Sequence, residues 1–232
     1  MESHLHLELQ KLKVSMMEMF ALTERALDTS IRALLERDDE LAQHVIDGDA
    51  DINNMETRIE ETILNLMALW QPVAKDLRFL AGCSKVINEI ERIGDQSTNI
   101  AERAIMLNRK PKLGFMNSVQ SLADVSLDMY RKSMQAFSEL DCQLASTVCS
   151  LDSKADDMNV TIIKRLIDYM TTESVIVERA VHSIIVANSL ERVSDLATNI
   201  SEYVFFIVQG INVRHSHQFD ARCSNVTDNN KK

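Results

Sequence analysis

The stretch Glu91–Glu102, ERIGDQSTNIAE, returns one hundred residues later as ERVSDLATNISE at Glu191–Glu202, with seven of twelve positions identical. Each copy sets two carboxylates four residues apart, Glu91 with Asp95 and Glu191 with Asp195. On a helix such residues share a face, and a like-charged pair there costs roughly 0.2–0.5 kcal/mol. Nothing in helix formation asks for that cost twice. A matching pattern precedes each copy: Asp152/Asp156 in the second half, and Asp49/Asn53 with Glu56 a turn later in the first. Neighbouring helices presenting these stripes at similar height would crowd several carboxylates, and cations would relieve the repulsion. Oxygen-only ligation suits Mg²⁺, Ca²⁺ or Mn²⁺ and holds iron or Zn²⁺ where ligands converge. The candidate ligands are Asp49, Glu91, Asp95, Asp152, Asp156, Glu191 and Asp195. Bridging carboxylates favour more than one ion per site, and exposure predicts exchangeable ions of modest affinity. Asn53, an amide where the second half has Asp156, predicts a weaker first site.

These residues need long helices to carry them. Five Gly, two Pro and 5% aromatics in 232 residues leave few helix breakers, and 45% hydrophobic residues supply a core. The reading is all-α. On a helical wheel Glu91, Asp95, Asn88, Thr98, Asn99 and Glu102 lie opposite Val86, Ile90, Ile93 and Ile100, and the second copy behaves alike. The acidic stripe therefore faces outward or into a groove open to water. Helices are expected at about His6–Glu36, from the Asp38–Asp39 corner to Leu69, and from Val73 to Leu107. The residue before Pro72 avoids the α region, which ends the second helix. The second half repeats the plan at about Ser118–Ser138, from the Leu140–Asp141 corner to Met170, and, after a cap at Thr171–Glu173, to near Gly210. The polar stretch Asn108–Gly114 divides the halves. The expected organisation is a three-helix repeat at 1–110, a second at 111–211, and a disordered polar tail at 212–232. Duplication also aligns Asp49 with Asp152, Asn53 with Asp156 and Met55 with Met158.

A net charge of −10 and a pI near 5.1 disfavour nucleic acid and anionic lipid as partners. No run of 18 apolar residues and no signal-like start are present, so a soluble cytoplasmic protein is expected. Cys83, Cys142, Cys149 and Cys223 lack metal-ligand spacing and read as small hydrophobes. A di-iron oxidase would need Glu-x-x-His pairs, yet neither His44 nor His182 has Glu three residues before it. With no Gly-rich phosphate loop and no GxSxG either, the chain is not expected to be an enzyme. The plainer alternative to cation binding is a helical adaptor whose acids only solubilise it. Arg92 and Arg192 read either as orienting the carboxylates or as surface ion pairs, Trp70 as a packing anchor, and the twelve Met as core filling.

The stretches QPVAKDLRFL (Gln71–Leu80), VIDGDADINNME (Val45–Glu56), NEIERIGDQSTNIAE (Asn88–Glu102) and NSLERVSDLATNISE (Asn188–Glu202) resemble the PhoU family of phosphate-uptake regulators. The resemblance runs from about Ser15 to Gln209. It implies two three-helix bundles with pseudo-twofold symmetry and a metal motif in each, Glu91/Asp95 with Asp49 and Glu191/Asp195 with Asp152/Asp156. It implies multinuclear iron, zinc or other cations there, beside the manganese or magnesium that oxygen ligation alone allows. It further implies a cytoplasmic accessory protein, a homodimer, whose partners are a phosphate ABC transporter ATPase and a phosphate-sensing histidine kinase, restraining uptake and starvation signalling when phosphate is plentiful. Ser194 in place of Gly94 reads as a minor surface change, and Asn53 as the departure that bears on the first site.

Overall fold

The computed structural model describes residues 2–112, 114 and 116–211; the tail expected at 212–232, with Cys223, lies outside the described residues. Among these, six α-helices follow one another: α1 (Glu2–Glu36), α2 (Asp39–Trp70), α3 (Ala74–Asn108), α4 (Met116–Glu139), α5 (Cys142–Thr172) and α6 (Val177–Gln209). α1, α2 and α3 pack mutually, as do α4, α5 and α6, giving two three-helix bundles.

The first corner of each half is built identically. Arg37 and Leu140 adopt the left-handed region with φ of 63° and 53°, and an aspartate follows each. Asp38 Oδ1 accepts from the Glu40 and Leu41 amides at 2.9 and 3.0 Å; Asp141 Oδ1 accepts from Gln143 and Leu144 at 2.7 and 3.1 Å. Both satisfy amides that a helix start leaves without partners. Arg37 then reaches across the bundle, donating to the carbonyls of Leu107, Asn108 and Lys110 and so capping the end of α3.

The cap expected at Thr171–Glu173 does not form. Thr171 and Thr172 belong to α5, their hydroxyls donating back to the carbonyls of Asp168 and Tyr169, and Glu173 makes no side-chain cap. Back-bonding to the preceding turn is the alternative open to a threonine hydroxyl, and here it wins. A short 3₁₀ turn at Ser174–Ile176 leads into α6 instead.

One apolar core spans both halves. Phe20 of α1 lies against Tyr130 and Phe137 of α4, with ring centroids 5.8 and 5.7 Å apart, and Phe79 of α3 stacks on Phe137 at 6.3 Å. Met16, Met19 and Met129 are fully buried in it, as core-filling methionines should be. Trp70 packs beside the core and against His4, their rings 5.9 Å apart.

The main seam between the halves is α3 against α6. Gly82 meets Ile207, Lys85 lies over the Tyr203 ring at 5.5 Å, and Glu89 accepts from Asn199. These pairings descend in step, so the helices run antiparallel, and the same register sets positions 94 and 194 at one height. The two copies of the duplicated motif therefore sit side by side at mid-seam. At Gly82 a Cβ would overlap the Ile207 side chain, which is why the close approach needs glycine.

Candidate metal centres

The burial pattern of residues 86–101 repeats without change at 186–201. Ile90, Ile93 and Ile100, like Leu190, Val193 and Ile200, are buried, while Glu91 and Glu191 are half-buried and Asp95 and Asp195 lie at the solvent rim. The apolar stripe fixes each helix against its bundle, and the acidic stripe is left in the groove beside the preceding helix, α2 or α5.

Across that groove the two halves differ in how closely the acids approach one another. In the second half, Asp156 of α5 and Glu191 and Asp195 of α6 each offer a carboxylate oxygen, and all three oxygens lie within 4.8 Å of one another. Asp152 joins from α5, its Oδ1 accepting from Thr198 Oγ1 at 3.0 Å. The first half repeats the tie, with Thr98 Oγ1 donating to Asp49 Oδ1 at 3.1 Å. There Asn53 Nδ2 donates to the other Asp49 oxygen at 3.1 Å. Among the described residues no group of three potential ligand atoms in the first half is as tightly gathered.

Crowding shows in the protonation equilibria. Burial, then Glu191, Asp152 and Asp156, push Asp195 up to about 7 against the opposing pull of Arg192. Burial, then Asp95, Glu56 and Asp49, likewise push Glu91 up to about 7, with Arg92 opposing. Asp95, Asp152 and Glu191 are raised as well, each first by burial and then by a neighbouring carboxylate, although the Thr198 hydroxyl pulls Asp152 the other way. Burial first, and then crowding by like charges, holds all five acids above their ordinary range, and a cation would compete with protons for the same oxygens.

Some residues play parts that the pattern alone did not give. Thr98 and Thr198 were legible as members of the polar stripe, not as the groups that hold Asp49 and Asp152 across the groove. Glu56 was legible as an acid a turn beyond Asn53; it acts on Glu91 and is itself raised by burial, Glu60 and Asp95. Arg92 bonds neither carboxylate of its motif: its Nη1 donates to Glu89 at 3.0 Å, so it acts on Glu91 and Asp95 through its charge.

Ser194 is not a surface residue but 1% exposed. It bonds Ser126 of α4 at 3.1 Å, whereas a Cβ at Gly94 would stand a tight 3.1 Å from the Ile52 side chain of α2. The duplication puts Ala155 at the place of Ile52, and that smaller residue leaves room for the serine. His44 is exposed, and His182 is half-buried with Nδ1 lacking a hydrogen-bond partner. Cys83 is buried, which pushes its thiol far up and keeps it inert.

Comparison with known families matches the PhoU domain twice, over residues 16–104 and 119–204, so each match holds one copy of the motif. The chain is 36% identical over 211 residues to the phosphate-specific transport system accessory protein PhoU homolog of Pseudomonas putida, covering 90% of this chain and 82% of that one. It is 32% identical over 208 residues to the accessory protein PhoU of Escherichia coli (strain K12), covering 90% and 86%. The crystal structure of PhoU from Pseudomonas aeruginosa superposes with a TM-score of 0.86 at 32% identity, over 89% of this chain and 99% of that one. That of the phosphate transport system regulatory protein PhoU from Streptococcus pneumoniae gives 0.84 at 26% identity, over 90% and 99%.

Proposed function

The chain belongs to the PhoU family, and on that footing we propose that it is an accessory regulator of a phosphate-specific transport system that holds cations in two acidic grooves. The observation that carries the reading is the double match, one PhoU domain at 16–104 and one at 119–204, with an acidic motif at the same place in both; we take the repeats to extend over 1–110 and 111–211. Its relatives are named for accessory and regulatory roles, and the chain is read as a regulator rather than an enzyme. Among the described residues no helix is long and apolar enough to cross a membrane, in keeping with a protein that docks on a transporter from the cytoplasm. Its partners would be the ATPase of the phosphate ABC transporter and a phosphate-sensing histidine kinase, and it would work as a homodimer to restrain uptake and starvation signalling when phosphate is plentiful.

The donor sets fit a cation. They are hard oxygens, gathered from two helices and partly withdrawn from water, and three of them already lie within 4.8 Å of one another. Asp49, Glu91 and Asp95 would hold ions in the first half, and Asp152, Asp156, Glu191 and Asp195 in the second. Mn²⁺, Mg²⁺, iron and zinc all accept such ligands, with several carboxylates able to bridge more than one ion. A bound cation supplies the positive charge the groove lacks. The chain's own part is to fix the oxygens: Thr98 and Thr198 hold one aspartate each, and the apolar stripes set the distance between helices.

Capture of the transporter ATPase from solution by the purified chain tests the regulatory reading, with metal-free and Mn²⁺-loaded protein compared. Binding to the ATPase is expected, together with Mn²⁺ uptake by the chain alone. No binding in either state would remove the transporter from its partners. Metal loss that leaves stability and helix content unchanged would return the reading in which the acids only solubilise an adaptor.

A further inference from the structure

The duplication extends to the first two helices of each half. Met16, Met19, Thr23 and Leu27 of α1 are buried in the same order and spacing as Val119, Leu122, Ser126 and Tyr130 of α4, and Ile59 of α2 answers to Ile162 of α5. Between α4 and α5 lies an open cavity of about 480 Å³, lined by Ser118 and Ser121 from one side and by Ser153, Lys154, Thr161 and Arg165 from the other. Met158 and Ile162 give it an apolar floor, and one acid, Asp157, joins its wall. At those six polar positions the first half carries Ser15, Glu18, Ala50, Asp51, Arg58 and Thr62. Two acids against one cation there have become two cations against one acid here. Packing does not require the exchange, because all six second-half positions reach solvent.

Both cations are uncommitted. The chain's net charge is −10, yet neither Lys154 nor Arg165 forms an ion pair with a carboxylate among the described residues. Arg165 Nη1 instead donates to Ser118 Oγ at 3.2 Å, across the groove. That bond leaves the Ser118 hydroxyl proton and the remaining guanidinium N–H groups to give. Ser121 and Thr161 spend their protons on carbonyls of their own helices, so the donors left are Ser118, Ser153, Lys154 and Arg165. Four donors with two positive charges match a phosphoryl dianion better than a singly charged carboxylate. The volume is that of a small-molecule pocket. We propose that the α4–α5 groove binds a phosphoryl group, as free phosphate or as a small phosphate monoester whose organic part lies on Met158 and Ile162. Asp157 opposes the anion and keeps its affinity modest. The groove is on the α4 side of α5, whereas Asp156 meets α6, and the inference does not rest on cation binding.

Calorimetric titration of the metal-free full-length chain with inorganic phosphate and, separately, with adenosine monophosphate tests it. Removing metal keeps the anion from being held by a cation in the acidic grooves. Binding is expected: a tighter hold on the monophosphate would assign the site to a monoester, and an equal or tighter hold on phosphate would assign it to the free ion. Arg165→Gln and Lys154→Gln should each weaken binding on the order of tenfold. Asp157→Asn should tighten it, a gain that damage to the fold cannot produce. Arg58→Gln, at the matching place in the first half, should change nothing. Circular dichroism of each variant separates a lost site from a lost fold. Binding of neither compound, or binding that the Arg165, Lys154 and Asp157 variants all leave unchanged, would overturn the proposal.

Discussion

Thr98 and Thr198 do the same work one hundred residues apart, each donating a hydroxyl to an aspartate on the neighbouring helix. Replacing Thr198 with Val keeps its shape and removes that donor. Second-half Mn²⁺ affinity should then fall on the order of tenfold or more, measured by calorimetry. An unchanged affinity would mean that Asp152 needs no fixing. The acids themselves make a pH prediction. Glu91 and Asp195 titrate near 7 in the folded chain, above the ordinary carboxylate range of an unfolded one. Between those values the folded state binds more protons, so stability of the metal-free protein falls as pH rises from about 4 to about 7. Thermal melts across that window should show the decline, and Asp195→Asn should flatten it and raise the melting temperature at pH 8. A metal-free protein that gains stability over the same window would contradict the crowding. The acids were legible in the sequence because their spacing repeats. The threonine ties, the burial of Ser194 and the pairing of Arg92 with Glu89 were not, because each depends on which side chain the next helix presents.

Helix positions were legible nearly throughout, since long amphipathic stripes with few breakers leave little choice. The corner aspartates show why: Asp38 and Asp141 follow a left-handed residue and cap α2 and α5 in the same way. Changing either to Ala should cost about 0.5–2 kcal/mol, read as a lower urea midpoint with an unchanged slope. Failure to destabilise would mean that packing alone sets those helix starts. The threonines before α6 misled because a hydroxyl that favours a cap equally satisfies itself on the preceding turn, and nothing in the local sequence decides between them. Residue 82 is a different case. Gly82→Val would push a branched side chain into Ile207 at the α3–α6 seam and should destabilise by roughly 1–3 kcal/mol, seen by chemical denaturation. An unaltered stability would show the seam looser than the helix approach indicates.

At the scale of the molecule, duplication gives two bundles that share a core and an antiparallel seam, with both acidic grooves at mid-height. The doubling was legible from the repeat alone; the register that sets the copies side by side was not, since it depends on Gly82 admitting Ile207 and on Glu89 reaching Asn199. A cation held by α5 and α6 together, or by α2 and α3, would tie each groove shut and stabilise the folded chain alone. The most direct test is the melting temperature of the full-length chain against Mn²⁺ concentration, beside a variant carrying Glu91→Gln, Asp95→Asn, Glu191→Gln and Asp195→Asn. The wild type should gain stability continuously with added Mn²⁺, about 2.7 kcal/mol at a hundredfold excess over the dissociation constant, and the variant should not respond. Equal responses in the two proteins, or none in the wild type, would contradict the account.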